Sequence, residues 1–176
     1  MSMFDSHHIE YRGWTLIYVA AFIAAFFVLQ TLYQNCRGTL IEHILIDEMT
    51  VAPSGKLISW ITPREGIAAH GHTLMSKYAH LSVLSGCEGT EAMLMLAAAI
   101  LVFPRNRRSK ILGIIGGNLL IYAINQIRII SLYYCLRLDR PLFDMLHGYI
   151  APILVIGVAG LYFAYWVSGA KPQPAA

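Results

Sequence analysis

The sequence predicts an all-α polytopic membrane protein with about four transmembrane helices and a small extracytoplasmic insertion before the second. Three observations predict it. Hydrophobic residues make up 57% of the 176-residue chain and charged residues only 13%, against about 25% charged in a usual soluble domain. Mean hydropathy is +0.56, and so short a chain has too much surface for its volume to hide that apolar excess from water. The apolar residues also fall into runs of spanning length with polar stretches between them. The chain has room for one domain over 1–176, and a soluble enzyme is excluded. The net charge of +3 identifies no partner by itself.

The first span covers about 14–32, Trp14 to Leu32, nineteen residues in which only Thr15, Gln30 and Thr31 are polar. A crossing helix needs about 20 residues. The run is too long for a signal-peptide core, and Asp5, Glu10 and Arg12 ahead of it carry no net positive charge, so it reads as a retained anchor. The outer segment, 33–87, follows. Gly38 to Met49 has apolar residues at helical spacing and reads as an interfacial extension of the first span. Ser54-Gly55 and Pro63-Arg64-Glu65-Gly66 read as turns. Tyr78 to Leu84 alternates as a short strand with Ala79, Leu81 and Val83 on one face, and leads into Ser85-Gly86-Cys87.

The second span, about 88–103, has a twelve-residue apolar core from Ala92 to Phe103. It reaches crossing length only by starting near Cys87, with Glu88 and Glu91 in its first turns. Met93-Leu94-Met95-Leu96 is a lipid- or core-facing stretch. The third span, about 111–134, contains Asn118, Asn125, Gln126 and Arg128. The fourth, about 149–167, ends in Tyr162, Phe163, Tyr165 and Trp166, rings suited to the headgroup layer. Between the second and third spans, Pro104 to Lys110 holds four basic residues and no acidic one. The positive-inside rule puts that loop in the cytoplasm, which places both ends of the chain there and puts 33–87 and 135–147 outside. The four basic residues of the long segment (Arg37, Lys56, Arg64, Lys77) are diluted over more than fifty positions. The basic loop is a topology signal, and no nucleic-acid partner is expected.

This topology brings three reactive side chains to the outer face. Cys87 opens span two, Arg128 lies near the outer end of span three, and His147 closes the outer loop before span four. A thiol at a helix N-terminus feels the positive end of the dipole, which favours thiolate. Gly86 and Gly89 let a peptide backbone approach the sulfur. Histidine is the usual acid or base beside such a nucleophile. An arginine inside a membrane marks function by default, and opposite a nucleophile it stabilises an oxyanion. Asn118, Asn125 and Arg128 share one helix face.

Gly86-Cys87-Glu88-Gly89 opening a membrane helix, Asn125-Gln-Ile-Arg128 in the next outward helix, and His147 before the last span resemble the exosortase/archaeosortase family. The resemblance covers roughly Gly71 to Trp166. Many members have Ser where this chain has Glu88, and eight spans rather than four; the short form is more similar to the compact, exosortase H-like subgroup. The resemblance implies a cysteine transpeptidase of the cytoplasmic (inner) membrane with its active site on the extracytoplasmic side. Its partners would be membrane lipids and exported proteins ending in a sorting motif, a membrane helix and a basic cluster. Cys87 would attack a backbone carbonyl at the motif, Arg128 would stabilise the tetrahedral intermediate, and His147 would move the proton. The thioester would pass to an acceptor. Glu88, Gly89, Glu91 and Asn125 are candidate supporting or substrate-binding residues, although first-turn carboxylates also suit any helix N-terminus.

Two other readings fit the residues. One is a membrane thiol–disulfide oxidoreductase pairing Cys87 with Cys36 or Cys135, against which the absence of a vicinal pair counts. The other is a non-enzymatic membrane assembly subunit whose polar stripe on span three binds a partner helix. Cys36 and Cys135 read as structural thiols. His70, His72 and His80 sit at even spacing on strand-like sequence, but no H-E-x-x-H or H-x-x-E-H accompanies them, so they read as surface histidines. No metal and no cofactor are expected.

Overall fold

Runs of lipid-compatible residues become long helices, and the breaks between them become the turns. The computed structural model describes residues 5–84 and 86–169, with side chains from Thr15 onward. Ser85 and the side chains of Asp5, Glu10, Arg12 and Trp14 lie outside the described residues.

Helix α1 spans Asp5–Gln34. After it come α2 (Leu40–His43), a π-helical segment (Ile44–Val51) and α3 (Ala52–Ile61). A 3-10 turn (Pro63–Glu65) leads to strands β1 (Ala68–His70), β2 (Thr73–Met75) and β3 (His80–Ser82). The bundle is completed by α4 (Thr90–Val102), α5 (Arg107–Leu138), α6 (Arg140–Met145), a second π segment (Leu146–Ile150) and α7 (Ala151–Ser168). The chain is mostly helical. Three helices are long and apolar enough to cross a membrane: Thr15–Gln34, Arg107–Leu138 and the continuous run Arg140–Ser168. Their outward faces expose Leu16, Phe27, Leu112, Leu119, Ile153 and Leu161, an apolar surface of the kind that meets lipid or another protein. The predicted second span is the shorter helix Thr90–Val102, 13 residues long and therefore about 20 Å.

The all-α expectation needs a small correction. Three short antiparallel strands form a meander, with Ala68 paired to Met75 and Leu74 to Leu81. The alternation at Tyr78–Leu84 is realised in β3, and Ala79, Leu81 and Val83 are buried as expected. Pro63–Glu65 does turn, closed by Gly66 in the left-handed region. Ser54-Gly55 does not. Both residues are buried inside α3, and a Cβ on Gly55 would stand 3.1 Å from a Leu74 methyl. That glycine lets helix and sheet close together.

The segment expected as an outer loop at 135–147 is helical up to Leu138 and again from Arg140, leaving Asp139 as the link. Its carboxylate accepts the Leu142 N–H at 3.3 Å and caps α6, with Pro141 in the first turn, where a missing N–H is harmless. Each π segment precedes a proline, Pro53 or Pro152. A proline inside a helix frees the carbonyl four residues back and its ring crowds that turn, and a widened turn makes room. For Pro53 the freed carbonyl is that of Met49, and α5 supplies the replacement donors: Tyr122 Oη at 2.7 Å and Gln126 Nε2 at 3.3 Å.

Two cores share α5. One, inside the bundle, joins Ala92, Leu96 and Ile100 of α4, Ile121 of α5, and Val155, Ala159 and Trp166 of α7. Gly113 and Gly117 admit Trp166 and Tyr162 against the α5 backbone, as small residues do in membrane helix packing. Tyr162 donates to the Gly113 carbonyl at 2.9 Å and Trp166 to that of Ser109 at 3.2 Å. The other core joins Ile46, Val51, Ile58, Leu74, Leu81 and Val83 of the insertion to Ile129, Leu132 and Tyr133 of α5. The basic loop also caps helices: Lys110 Nζ donates to the Leu101 carbonyl, and Arg105 donates to that of Trp166 while lying over its ring.

Candidate active site

Cys87 packs against the core that joins the insertion to α5. The chain leaves β3, turns with the Cys87 N–H on the Leu84 carbonyl at 2.9 Å, and enters α4 at Thr90 with Gly89 as its N-cap residue. Cys87 therefore precedes the helix and is not its first residue. Gly86 and Gly89 adopt φ of +98° and +82°, conformations that favour glycine. At Gly89 a Cβ would lie 3.0 Å from Asn125 Cγ, so α5 reaches this turn only because the side chain is missing.

Asn125 is fully buried, and its Nδ2 donates to the Cys87 carbonyl at 3.2 Å. One turn further along the same face, the Arg128 guanidinium is close enough to the Cys87 thiol for its charge to act on it. Cys87 and Arg128, forty-one positions apart, are brought together. His147 sits in the second π segment, its ring stacked on Phe143 at 5.5 Å. Helix α7 runs antiparallel to α5, with Gly113 facing Trp166 and Gly117 facing Tyr162. No contact joins His147 to Cys87 among the described residues.

Among the described residues, five buried side-chain atoms have no hydrogen-bond partner: Gln30 Oε1, Asn118 Oδ1, Asn125 Oδ1, Arg128 Nε and His147 Nδ1. Two of them, on Asn125 and Arg128, belong to residues that act on Cys87. Each such atom costs about 1–3 kcal/mol, and unmet groups of this kind mark places where something else binds or reacts. Asn118, Asn125 and Arg128 are the polar stripe of α5, and His147 is the third residue of the expected triad.

The supporting residues divide. Glu88 is not a solvated first-turn carboxylate. It is buried, taking the Tyr33 hydroxyl at 2.5 Å on one oxygen and the Gly86 N–H on the other. It thus ties the cysteine turn to α1 and positions it. Glu91 is exposed and accepts from Gln30 Nε2 at 3.4 Å. Tyr33 was not legible as a site residue, since nothing in sequence marks which helix covers Glu88.

The Cys87 thiol sits outside the helix whose dipole was expected to act on it, since α4 begins only at Thr90. All three cysteines are free, with no Cys36–Cys135 bridge.

Two further clusters escaped the sequence reading. In the insertion, Tyr133 donates to buried Glu65 and meets Ser76 Oγ at 2.8 Å, while Arg137 pairs with Glu65. His72, read as a surface residue, bonds to Asp47, which also meets His43 Nδ1 at 3.1 Å. The His43-x3-Asp47 spacing was the available signal. His70 and His80 are exposed and take no part. An apolar groove of about 550 Å³ between α1, α4 and α7 is lined by Tyr18, Phe22, Ala99, Phe103 and Phe163. It lies toward the end of α4 remote from Cys87. No family model, curated protein or solved structure matches the chain.

Proposed function

We propose that the chain is an exosortase-like cysteine transpeptidase that crosses the cytoplasmic membrane four times and works at its outer face. The observation that carries this reading is the Arg128 guanidinium near the Cys87 thiol, with Asn125 Oδ1 and Arg128 Nε buried and without partners. An arginine fork beside a nucleophilic sulfur is what acyl transfer needs, because negative charge develops on the attacked carbonyl oxygen.

Depth supports the same assignment. With the basic turn at the start of α5 in the cytoplasmic headgroups, Arg128 lies twenty-one residues on, about 32 Å away. The hydrocarbon layer is about 30 Å thick. The fourth crossing is α4, whose short helix is completed by the Gly86–Gly89 turn, a non-helical stretch covered by α1 and α5.

The chemistry then follows. The Cys87 proton passes to His147, and sulfur bonds to the carbonyl carbon of a peptide bond in a C-terminal sorting tail. Arg128 holds the resulting oxyanion. The C–N bond breaks, and the leaving amine takes the proton from His147. An acceptor amine attacks the thioester, gives its proton to His147, and expels Cys87, which takes that proton back as the free thiol.

The test uses the full chain in nanodiscs with an exported protein carrying a C-terminal motif, a membrane helix and a basic cluster. Mass spectrometry should find a thioester on Cys87 and a released tail. Cys87→Ala should give neither product. Arg128→Lys should lose about 100- to 1,000-fold in rate and His147→Ala about 100- to 10,000-fold, with Cys36→Ala and Cys135→Ala unaffected. Tail release by Cys87→Ala, or its loss in Cys36→Ala or Cys135→Ala, would refute the assignment.

A further inference from the structure

On the side of the insertion, away from Cys87, three ligand-type side chains converge. His43 ends α2, Asp47 follows one turn later in the π segment, and His72 occupies the β1–β2 turn, 25 positions beyond Asp47. Their ligand atoms all lie within 4.8 Å of one another. Both imidazoles turn Nδ1 to the same carboxylate, His43 to Oδ2 and His72 to Oδ1. The rings lie nearly parallel, 16° apart with centroids at 5.4 Å. The hairpin reaches the helix through Gly71 at φ +54°, whose Cβ position is 4.0 Å from Asp47 Oδ2.

We infer that His43, Asp47 and His72 form a binding site for a divalent transition-metal ion, zinc being the best match. Imidazole suits zinc, nickel and copper, whereas calcium and magnesium want oxygen ligands. Four-coordinate zinc with bonds of about 2.0–2.1 Å holds its donors about 3.4 Å apart, so small movements draw the three atoms onto one ion. The His43 and His72 side chains are 59% and 43% exposed, which leaves their rings free to turn and a fourth position open to water. A cross-link between helix and hairpin needs one histidine on the carboxylate. A second, from a separate element and through the same nitrogen, makes a three-donor set.

The ion would clamp the π segment to the hairpin. The His72 carbonyl accepts the Val83 N–H at 2.8 Å, four residues before Cys87, so the clamp holds the strand that delivers the cysteine turn. This inference is independent of the reaction assigned to Cys87.

The test uses the full chain in nanodiscs, without a polyhistidine tag and with Cys36, Cys87 and Cys135 replaced by alanine. After chelator treatment, Zn²⁺ is titrated against a chromophoric competitor, and Co²⁺ reports coordination by its visible bands. One Zn²⁺ per chain is expected, with the spectrum of a low-coordinate cobalt site. His43→Ala, His72→Ala and Asp47→Asn should each weaken binding by more than about 100-fold, beyond the effect usual for an outer-shell partner. His70→Ala and His80→Ala should bind as the parent does. At 100-fold excess over Kd, zinc should raise the unfolding midpoint by about 5 °C or more. Because His43 is largely exposed on its helix, its variant folds and keeps the test decisive. Zinc affinity unchanged in His43→Ala, or lost equally in His70→Ala or His80→Ala, would overturn the inference.

Discussion

Gly89→Ala places one methyl group where α5 comes closest to the cysteine turn. Two costs add. At φ +82° an L-residue pays roughly 1–2 kcal/mol for left-handed backbone. The new Cβ also meets Asn125 at Cγ 3.0 Å, Cβ 3.2 Å and Oδ1 3.3 Å, and overpacking of this kind costs about 1–3 kcal/mol. Together they destabilise by about 2–5 kcal/mol. Gly86→Ala, at φ +98° with nothing within 4 Å, pays the first cost alone. Heat unfolding in detergent should place Gly89→Ala below Gly86→Ala, at about 2–4 °C for each kcal/mol in a chain of this size. Because Asn125 must swing away from the Cys87 carbonyl, alkylation of Cys87 by a small maleimide should also quicken in Gly89→Ala alone. Equal melting and equal alkylation in the two variants would show that Asn125 does not set the turn.

A cation beside a thiol favours its thiolate, so Arg128→Ala should move the alkylation midpoint of Cys87 to higher pH than in the parent; an unmoved midpoint would remove Arg128 from the thiol. Tyr33→Phe leaves Glu88 with one fewer donor in a buried place, a loss of about 1–3 kcal/mol that should appear as a lower unfolding midpoint; an unchanged midpoint would remove Tyr33 from the site. For topology, Lys56→Cys and Arg108→Cys both sit at exposed positions. In intact cells an impermeant maleimide should label the first and spare the second, and the reverse pattern would invert the protein.

The sequence made the long helices plain because spanning is a matter of length and hydropathy, both read without partners. It exposed β3 for a similar reason: a strand buried on one face alternates. Ser54-Gly55 misled because a turn dipeptide and a close-packing glycine look the same until Leu74 is seen beside it. Residues 135–147 misled because Asp139, Arg140 and Pro141 ended the hydropathy signal while the backbone stayed helical on both sides of Asp139. The approach of Arg128 to Cys87 was expected from the predicted spans together with the order of the motifs. The buried role of Glu88 was not, since burial depends on α1 arriving from fifty-five positions away. His72 was set aside because no zinc motif accompanies it, yet its partner Asp47 comes from a helical segment 25 positions away, which no short motif records.

Helix α5, gripped by the bundle over its first part and by the insertion over its last, acts as a common datum. Arg128 belongs to it by sequence, and the Cys87 carbonyl is tied to it through Asn125. A thicker or thinner bilayer changes the tilt of such a helix, but thiol and guanidinium ride along together, as two marks on one ruler. In the proposed reaction, lipid thickness would vary the height at which that pair meets a substrate tail anchored independently in the same membrane. Sensitivity to bilayer composition should then appear in how such substrates of different helix length compete, with the chemical step itself left unchanged.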